Sequence, residues 1–99
     1  MAAQYHEPHD VLSQRAKELH RAYVCLIEEI EAMDGYQQRV DVTQDETLRK
    51  ILEHNRDEEK EHACMLLEWI RRNDGIFAKK IKVYLYPEEP ELNDPYPIS

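Results

Sequence analysis

Residues 48–70 carry the pattern that decides the fold, and they read LRKILEHNRDEEKEHACMLLEWI. Apolar side chains recur here at steps of three and four, a spacing that places them on one face of an α-helix. The members of this stripe are Leu48, Ile51, Leu52, Leu66, Trp69 and Ile70. We therefore predict a second helix from about Thr43, where Thr43 and Glu46 have capping-box spacing. Asn73-Asp74-Gly75 would end it, because these residues tolerate the left-handed conformation of a helix C-cap.

A second apolar stripe precedes this segment and predicts a first helix from about Val11. Its members are Leu12, Ala16, Leu19, Tyr23, Leu26, Ile30 and Met33. Gly35 is one place where this helix could stop, although Tyr36–Val40 could carry another turn. Downstream, Ile76–Tyr86 has helical spacing and predicts a short third helix.

The chain has 99 residues and a mass of 11.9 kDa, which leaves room for one small domain. We predict a flexible N-terminal arm over residues 1–10, a helical hairpin domain over 11–86 and a Pro-rich extended tail over 87–99. An isolated hairpin of two long helices has no enclosed interior, and such hairpins are usually stabilised by pairing into four-helix bundles. The predicted fold is therefore all-α: an antiparallel two-helix hairpin with a short C-terminal helix, which dimerises into a four-helix bundle.

Composition excludes several classes of function. There are 21 acidic and 13 basic side chains, and the net charge of −8 would repel nucleic acid. No run approaches the roughly 20 apolar residues that a bilayer requires, and no export leader opens the chain. We expect a cytoplasmic protein that binds neither nucleic acid nor membrane. Cys25 and Cys64 form no C-x-x-C pair, and we expect them to pack rather than to bind metal.

Polar residues interrupt the apolar stripe in the middle of the second helix. Steps of three and four from Leu52 reach Asn55, Glu59 and His62 before the stripe resumes at Leu66. Glu59 and His62 lie within about 60° of each other around the helix axis. A carboxylate and an imidazole that face inward are costly unless they are paired or bind a metal. Glu-x-x-His on an inward face is the repeating unit of di-iron carboxylate bundles.

The first helix supplies a matching carboxylate, because Glu29 falls at the edge of its apolar arc. A bundle site of this type takes one Glu from each of two helices and Glu-x-x-His from each of the other two. One chain therefore holds half of the set, and a second copy related by a two-fold axis would complete it. The alternative is a purely structural hairpin in which Glu59 and His62 pair with each other or with Arg56.

Long consecutive blocks of this sequence resemble the encapsulated ferritins. The blocks are residues 27–34 (IEEIEAMD), 38–41 (QRVD), 54–63 (HNRDEEKEHA) and 67–74 (LEWIRRND). The resemblance runs from about His6 to Tyr86 and implies a ferritin-like four-helix bundle formed by two chains. It also implies a ring of five dimers, a homodecamer, that lies inside a cytoplasmic encapsulin nanocompartment. The implied activity is a ferroxidase that oxidises Fe(II) with dioxygen and supplies Fe(III) for mineral storage by the shell.

The resemblance further implies roles for six residues. Glu29, Glu59 and His62 match the ligands of a di-iron ferroxidase centre. Glu28 and Glu31 match a flanking metal site that feeds iron inward, and Tyr36 matches a tyrosine beside the centre. Gly35 departs from the pattern, since a relative has tryptophan there. The alternatives to a ferroxidase are a non-catalytic iron-binding carrier and a structural helical oligomerisation module.

Overall fold

The computed structural model describes residues 4–85, and the regular structure in that range is entirely helical. A short 3-10 helix, His9–Val11, precedes three α-helices: α1 (Gln14–Val42), α2 (Glu46–Asn73) and α3 (Gly75–Tyr84). The predicted all-α class, with two long helices followed by a short one, is confirmed over these residues. The tail predicted at 87–99 lies outside the described residues.

The first helix begins three residues later and ends later than its apolar stripe suggested. Ser13 is the N-cap of α1, and its side-chain oxygen accepts a hydrogen bond of 3.1 Å from the backbone N–H of Ala16. The start predicted near Val11 is therefore wrong, because Val11 belongs to the 3-10 helix. Gly35 does not stop α1, which continues to Val42. A single glycine lowers helix stability by about 1 kcal/mol without breaking the helix.

Thr43 caps the end of α1, and Asp45 caps the start of α2. Thr43 closes α1, since its backbone N–H and its hydroxyl both donate to the carbonyl oxygen of Arg39. Asp45 opens α2 by accepting a 2.9 Å hydrogen bond from the backbone N–H of Leu48. The predicted start at Thr43 and its capping box with Glu46 are therefore wrong, because Asp45 takes the N-cap position.

Asp74 separates α2 from α3 and serves as the N-cap of α3. Its side chain accepts hydrogen bonds from the backbone N–H groups of Ile76, at 3.1 Å, and Phe77, at 3.0 Å. Gly75 is consequently the first residue of α3, and no residue in 4–85 has a positive φ angle. The left-handed C-cap predicted for α2 is wrong, because the chain enters the next helix through the extended backbone of Asp74.

The chain divides into two compact units, the first ending at Leu67 and the second beginning at Glu68. In the first unit, Glu29 contacts His62 and Gln37 contacts Arg56. From the first contact to the second, the residue number rises on α1 and falls on α2, so these helices are antiparallel, as predicted. Among residues 4–85, the buried apolar residues of this unit are Ala22, Val40 and Ala63, and those of the second are Ile70 and Ile81. Within residues 4–85, no helix is both long enough and apolar enough to cross a membrane.

An ion-pair cluster in the second unit centres on Glu68. Arg71 donates two hydrogen bonds of 2.7 Å to its carboxylate, and Arg72 Nε donates a third of 2.9 Å. These bonds lower the pKa of Glu68 from 4.5 to about 2, and the bonds from Arg71 contribute more than the bond from Arg72. The carboxylate therefore stays ionised well into the acid range.

We expect Glu68→Gln to remove a pH-dependent part of the stability. Because the pKa of Glu68 is lower in the folded chain than in the unfolded chain, its ion pairs stabilise fully above pH 4.5 and are lost as the pH falls toward 2. Chemical unfolding followed by circular dichroism should show a difference between parent and variant that shrinks over this window. Glu61→Gln, which removes an exposed carboxylate, is the control. A Glu68→Gln difference that stays constant from pH 7 to pH 2 would contradict the assignment.

Candidate metal centre

The three predicted ligands come together between α1 and α2. His62 Nδ1 lies 3.5 Å from Glu29 Oε2 and 3.5 Å from Glu59 Oε2. One ligand atom from each of these residues lies within 4.8 Å of the other two. In the part of the chain that the structure describes, no other group of three or more His, Cys, Asp or Glu residues has this geometry.

The helices position these side chains in two ways. Glu59 and His62 are three residues apart, so α2 alone places them on neighbouring positions of one face. Glu29 reaches them from α1 because the two helices are antiparallel. The side chains of Glu29 and Glu59 are mostly buried, whereas that of His62 is 46% exposed. The site is therefore closed on the side of the helix pair and open at His62.

Glu29 contributes a carboxylate oxygen, Oε2, that is buried and makes no hydrogen bond within the described residues. Its 3.5 Å separation from His62 Nδ1 is an ion-pair distance, but it is too long for a good hydrogen bond. A buried carboxylate oxygen without a partner is costly. A cation between Glu29, Glu59 and His62 would remove that cost, so the orphaned oxygen fits a metal-ligand role.

The donor set also fits a transition-metal ion. Carboxylate oxygen and imidazole nitrogen together suit divalent iron, manganese and zinc, whereas magnesium and calcium prefer oxygen alone. Two ligand atoms that are each about 2.1 Å from one ion at a tetrahedral angle stand about 3.4 Å apart. The two 3.5 Å separations from His62 are close to that spacing.

Arg56 lies one turn before Glu59 on α2, yet it bonds to other residues. Its Nε donates to Asp57 Oδ1 at 3.0 Å, and its Nη1 donates to Gln37 Oε1 on α1 at 3.1 Å. Lys60 Nζ lies 3.4 Å from the same Asp57 oxygen. The hydrogen bond from Arg56 is the largest cause of a lowered pKa at Asp57. The structural alternative that pairs Glu59 with Arg56 is therefore not observed, whereas the approach of His62 to Glu59 is.

The other predicted site residues lie outside this group of three. Tyr36 is half-buried, and the guanidinium carbon of Arg39 lies 5.4 Å from the centre of its ring, a cation–π distance. Glu28 and Glu31 are exposed. They lie about 100° and 160° from Glu29 around the axis of α1, away from the face that meets α2. Their functional roles stay predictions.

Gly35 has no side chain, and the guanidinium of Arg39 lies next to the space that a side chain there would enter. A Cβ atom added at Gly35 would meet only this group, with Arg39 Nη1 at an ordinary contact distance of 3.5 Å. A Cβ atom at this position would therefore contact the Arg39 guanidinium without displacing it.

Sequence reasoning missed the contacts of Gln37 and Asp57 near the site. Gln37 lies 19 residues before Arg56, and no local pattern connects the two. Asp57 begins the acidic run 57–61, which reads as a solvated face. The sequence signal was the position of Arg56 four residues after Leu52, which places it near the apolar stripe, where a guanidinium requires acceptors.

The sequence matches one known protein family and is similar to individual proteins. The sequence model of the EncFtn-like family matches residues 4–88. An encapsulated ferritin-like protein of Rhodospirillum rubrum is 54% identical over 85 residues, which cover 86% of this chain and 61% of that protein. The chain thus matches about three fifths of the length of that relative. A ferritin-like protein of Thermotoga maritima is 54% identical over 90 residues, which cover 91% of this chain and 79% of that protein.

A solved structure agrees with these similarities. The crystal structure of a protein from Nitrosomonas europaea has a TM-score of 0.82 and 52% sequence identity to this chain. The match covers 92% of this chain and all of that one. Because the family match spans most of the sequence and both relatives are more than half identical, this chain belongs to the EncFtn-like family.

Proposed function

We propose that this chain is a ferroxidase, which oxidises Fe(II) to Fe(III) with dioxygen at a di-iron centre shared between two chains. Family membership supports an iron-related, ferritin-like role. The observation that carries the proposal is the buried Oε2 atom of Glu29, which faces Glu59 and His62 and has no hydrogen-bond partner among residues 4–85. These residues are half of the Glu and Glu-x-x-His set that di-iron bundles use.

The chemistry of the three ligands suits iron oxidation. Anionic carboxylates favour Fe(III) over Fe(II), so Glu29 and Glu59 would lower the reduction potential of the bound substrate. Two Fe(II) ions would give up one electron each, and one dioxygen would take up both electrons and two protons from water, which reduces it to hydrogen peroxide. His62 would bind iron as the neutral imidazole, which fixes the position of the ion without adding charge.

An exposed apolar stripe on α2 supports the sharing of the centre between two copies. Leu48, Ile51 and Met65 are exposed, and each lies within about 60° of His62 around the helix axis. Exposed apolar rows of this kind mark interaction surfaces. A second copy on this stripe would bury it and would place a second Glu29, Glu59 and His62 opposite the first set. The four-helix bundle, and the ring of five dimers, are part of the proposal.

Residues around the centre would then have separate roles. Glu28 and Glu31 are exposed on α1, where their charges would concentrate Fe(II) near the centre rather than bind it during oxidation. Tyr36 follows Glu29 by seven residues, which is close to two helical turns, so it shares the same face of α1. We assign Tyr36 to a position beside the centre, where its ring is held under Arg39.

The proposed location follows the name of one relative. The Rhodospirillum rubrum protein is described as encapsulated. We propose that this chain likewise works in the cytoplasm inside an encapsulin nanocompartment, whose shell protein is its partner. A helical hairpin encloses no storage volume, so the Fe(III) product would pass to the shell interior for mineral storage.

The ligand assignment predicts the effect of Glu59→Gln. The amide keeps the shape of the side chain but loses the anionic donor, so Fe(II) oxidation should slow by at least about 100-fold while helicity is unchanged. Oxygen uptake and the Fe(III) absorbance after Fe(II) addition measure this rate. Glu53→Gln is the matched control, because Glu53 is also partly buried on α2 but lies outside the group of three. A parental rate in Glu59→Gln would contradict the ferroxidase proposal, and iron binding without oxygen uptake in the parent would indicate a carrier.

The flank assignment predicts a different kinetic effect for Glu28→Gln/Glu31→Gln. The Fe(II) concentration for half-maximal rate should rise by roughly threefold or more, because local cation attraction is lost, while the maximal rate stays within about threefold. Asp10→Asn/Asp41→Asn removes the same net charge from exposed positions and is the control. Loss of the maximal rate to the level of Glu59→Gln would show that the flank residues bind iron during oxidation.

The shared centre predicts that dimerisation and activity are lost together. Met65→Glu places a charge on the α2 stripe, so native mass spectrometry should show monomers and the oxidation rate per chain should fall at least about tenfold. Val42→Glu adds the same charge at an exposed apolar position at the end of α1 and should change neither result. A monomer that binds two irons and oxidises them at the parental rate would refute the shared centre.

A further inference from the structure

Arg56 and Glu59 have the spacing of an ion pair that does not form. They lie three residues apart on α2, where Arg and Glu side chains are neighbours on a helix surface. Both side chains are mostly buried, at 19% and 21% exposed, so most of each side chain is shielded from water. Within the described residues, Glu59 approaches His62, and the Arg56 guanidinium bonds instead to Asp57 and Gln37.

We propose that Asp57 is a positioning residue of the metal centre: it holds the Arg56 guanidinium away from Glu59 and so leaves the Glu59 carboxylate available to a cation. Gln37 assists from α1. This inference rests on the proposed function, because it assigns Glu59 as a metal ligand, and it adds a residue that no part of the ligand set includes.

The physical basis is a competition for one carboxylate. A guanidinium and a metal ion are both cations, and a guanidinium hydrogen-bonded to the Glu59 oxygens would occupy the positions that a metal ion needs. A mostly buried guanidinium requires a carboxylate partner, because an unpaired buried charge is strongly unfavourable. Asp57 satisfies this requirement through the 3.0 Å bond to Arg56 Nε, on the neighbouring position of the helix.

Two further contacts hold this arrangement in place. Gln37 Oε1 accepts from Arg56 Nη1 at 3.1 Å, which ties the far end of the guanidinium to α1. Lys60 Nζ lies 3.4 Å from Asp57 Oδ1, so this exposed carboxylate lies between two cations. The four side chains form a chain of contacts, Gln37–Arg56–Asp57–Lys60, which leaves Glu59 outside it.

Removing Asp57 should therefore redirect Arg56 to Glu59 and weaken metal binding. Glu53 lies one turn before Arg56 and is the other carboxylate within its reach on α2, so every variant carries Glu53→Gln. In that background, Asp57→Asn should raise the Kd for Co(II), measured by calorimetric titration of the full chain, by at least about tenfold. Glu61→Gln is the matched control, because Glu61 is also two residues from Glu59 and carries the same charge, and its Kd should change by less than about threefold.

Adding Arg56→Gln to Asp57→Asn supplies the decisive comparison. If Asp57 acts by holding Arg56, removing the guanidinium should restore the Kd to within about threefold of the Glu53→Gln background. If the Asp57–Arg56 bond only stabilised the fold, loss of both partners would not restore binding, and the inference would be overturned. An Asp57→Asn variant that binds Co(II) like the Glu61→Gln control would overturn it as well. A Glu53→Gln background that binds no Co(II) would instead refute the metal centre of the proposed function, and the inference with it.

Discussion

The carboxylate of Glu29 reaches from α1 to within 3.5 Å of His62 on α2, and one of its oxygens is buried there with no hydrogen-bond partner in the part of the chain that the structure describes. With Glu59 beside it, two mostly buried carboxylates and one partly exposed imidazole share a small space between the helices. Like charges at such distances repel strongly where the local dielectric is low. A cation bound between these side chains, as proposed, would relieve that repulsion, and the rest of the chain holds the two helices close enough to bring them together.

The helices are long and continuous because their capping residues lie only at their ends. Ser13, Asp45 and Asp74 each cap a helix N-terminus, so the polar side chains that interrupt regular structure lie at the boundaries. Between these caps, α1 continues unbroken past Gly35. Small buried residues, Ala22 on α1 and Ala63 on α2, allow close packing of their helices. The three candidate ligands consequently lie in the middle of long helices rather than on loops.

The sequence was sufficient to predict the parts of the site that depend on helical periodicity. The apolar stripe predicted α2, and its interruption predicted that Glu59 and His62 lie on the same face. Both predictions depend only on residues that are within about two helical turns of each other. The caps were harder, because Thr43 and Asp45 are both good N-cap residues and only the observed end of α1 shows which helix each one serves. Gly75 was misassigned for a related reason, since a glycine after a helix can end it or can begin the next one. The contact of Arg56 with Gln37 depends on how α1 packs against α2, which no local pattern contains.

The exposure of His62 links the chemistry of the centre to assembly. At 46% exposure, His62 is the open side of the site, and the exposed Leu48, Ile51 and Met65 lie along the same face of α2. In the proposed dimer, two carboxylates from each chain meet, so four negative charges would be brought together between chains that each already carry a net charge of −8. Burial of the apolar stripe favours this association, whereas charge repulsion opposes it until metal ions bind. A cation that binds the paired state and not the separate chains stabilises that state by mass action. The same unfavourable charge that marks the site within one chain would therefore make iron binding and pairing of two chains mutually dependent.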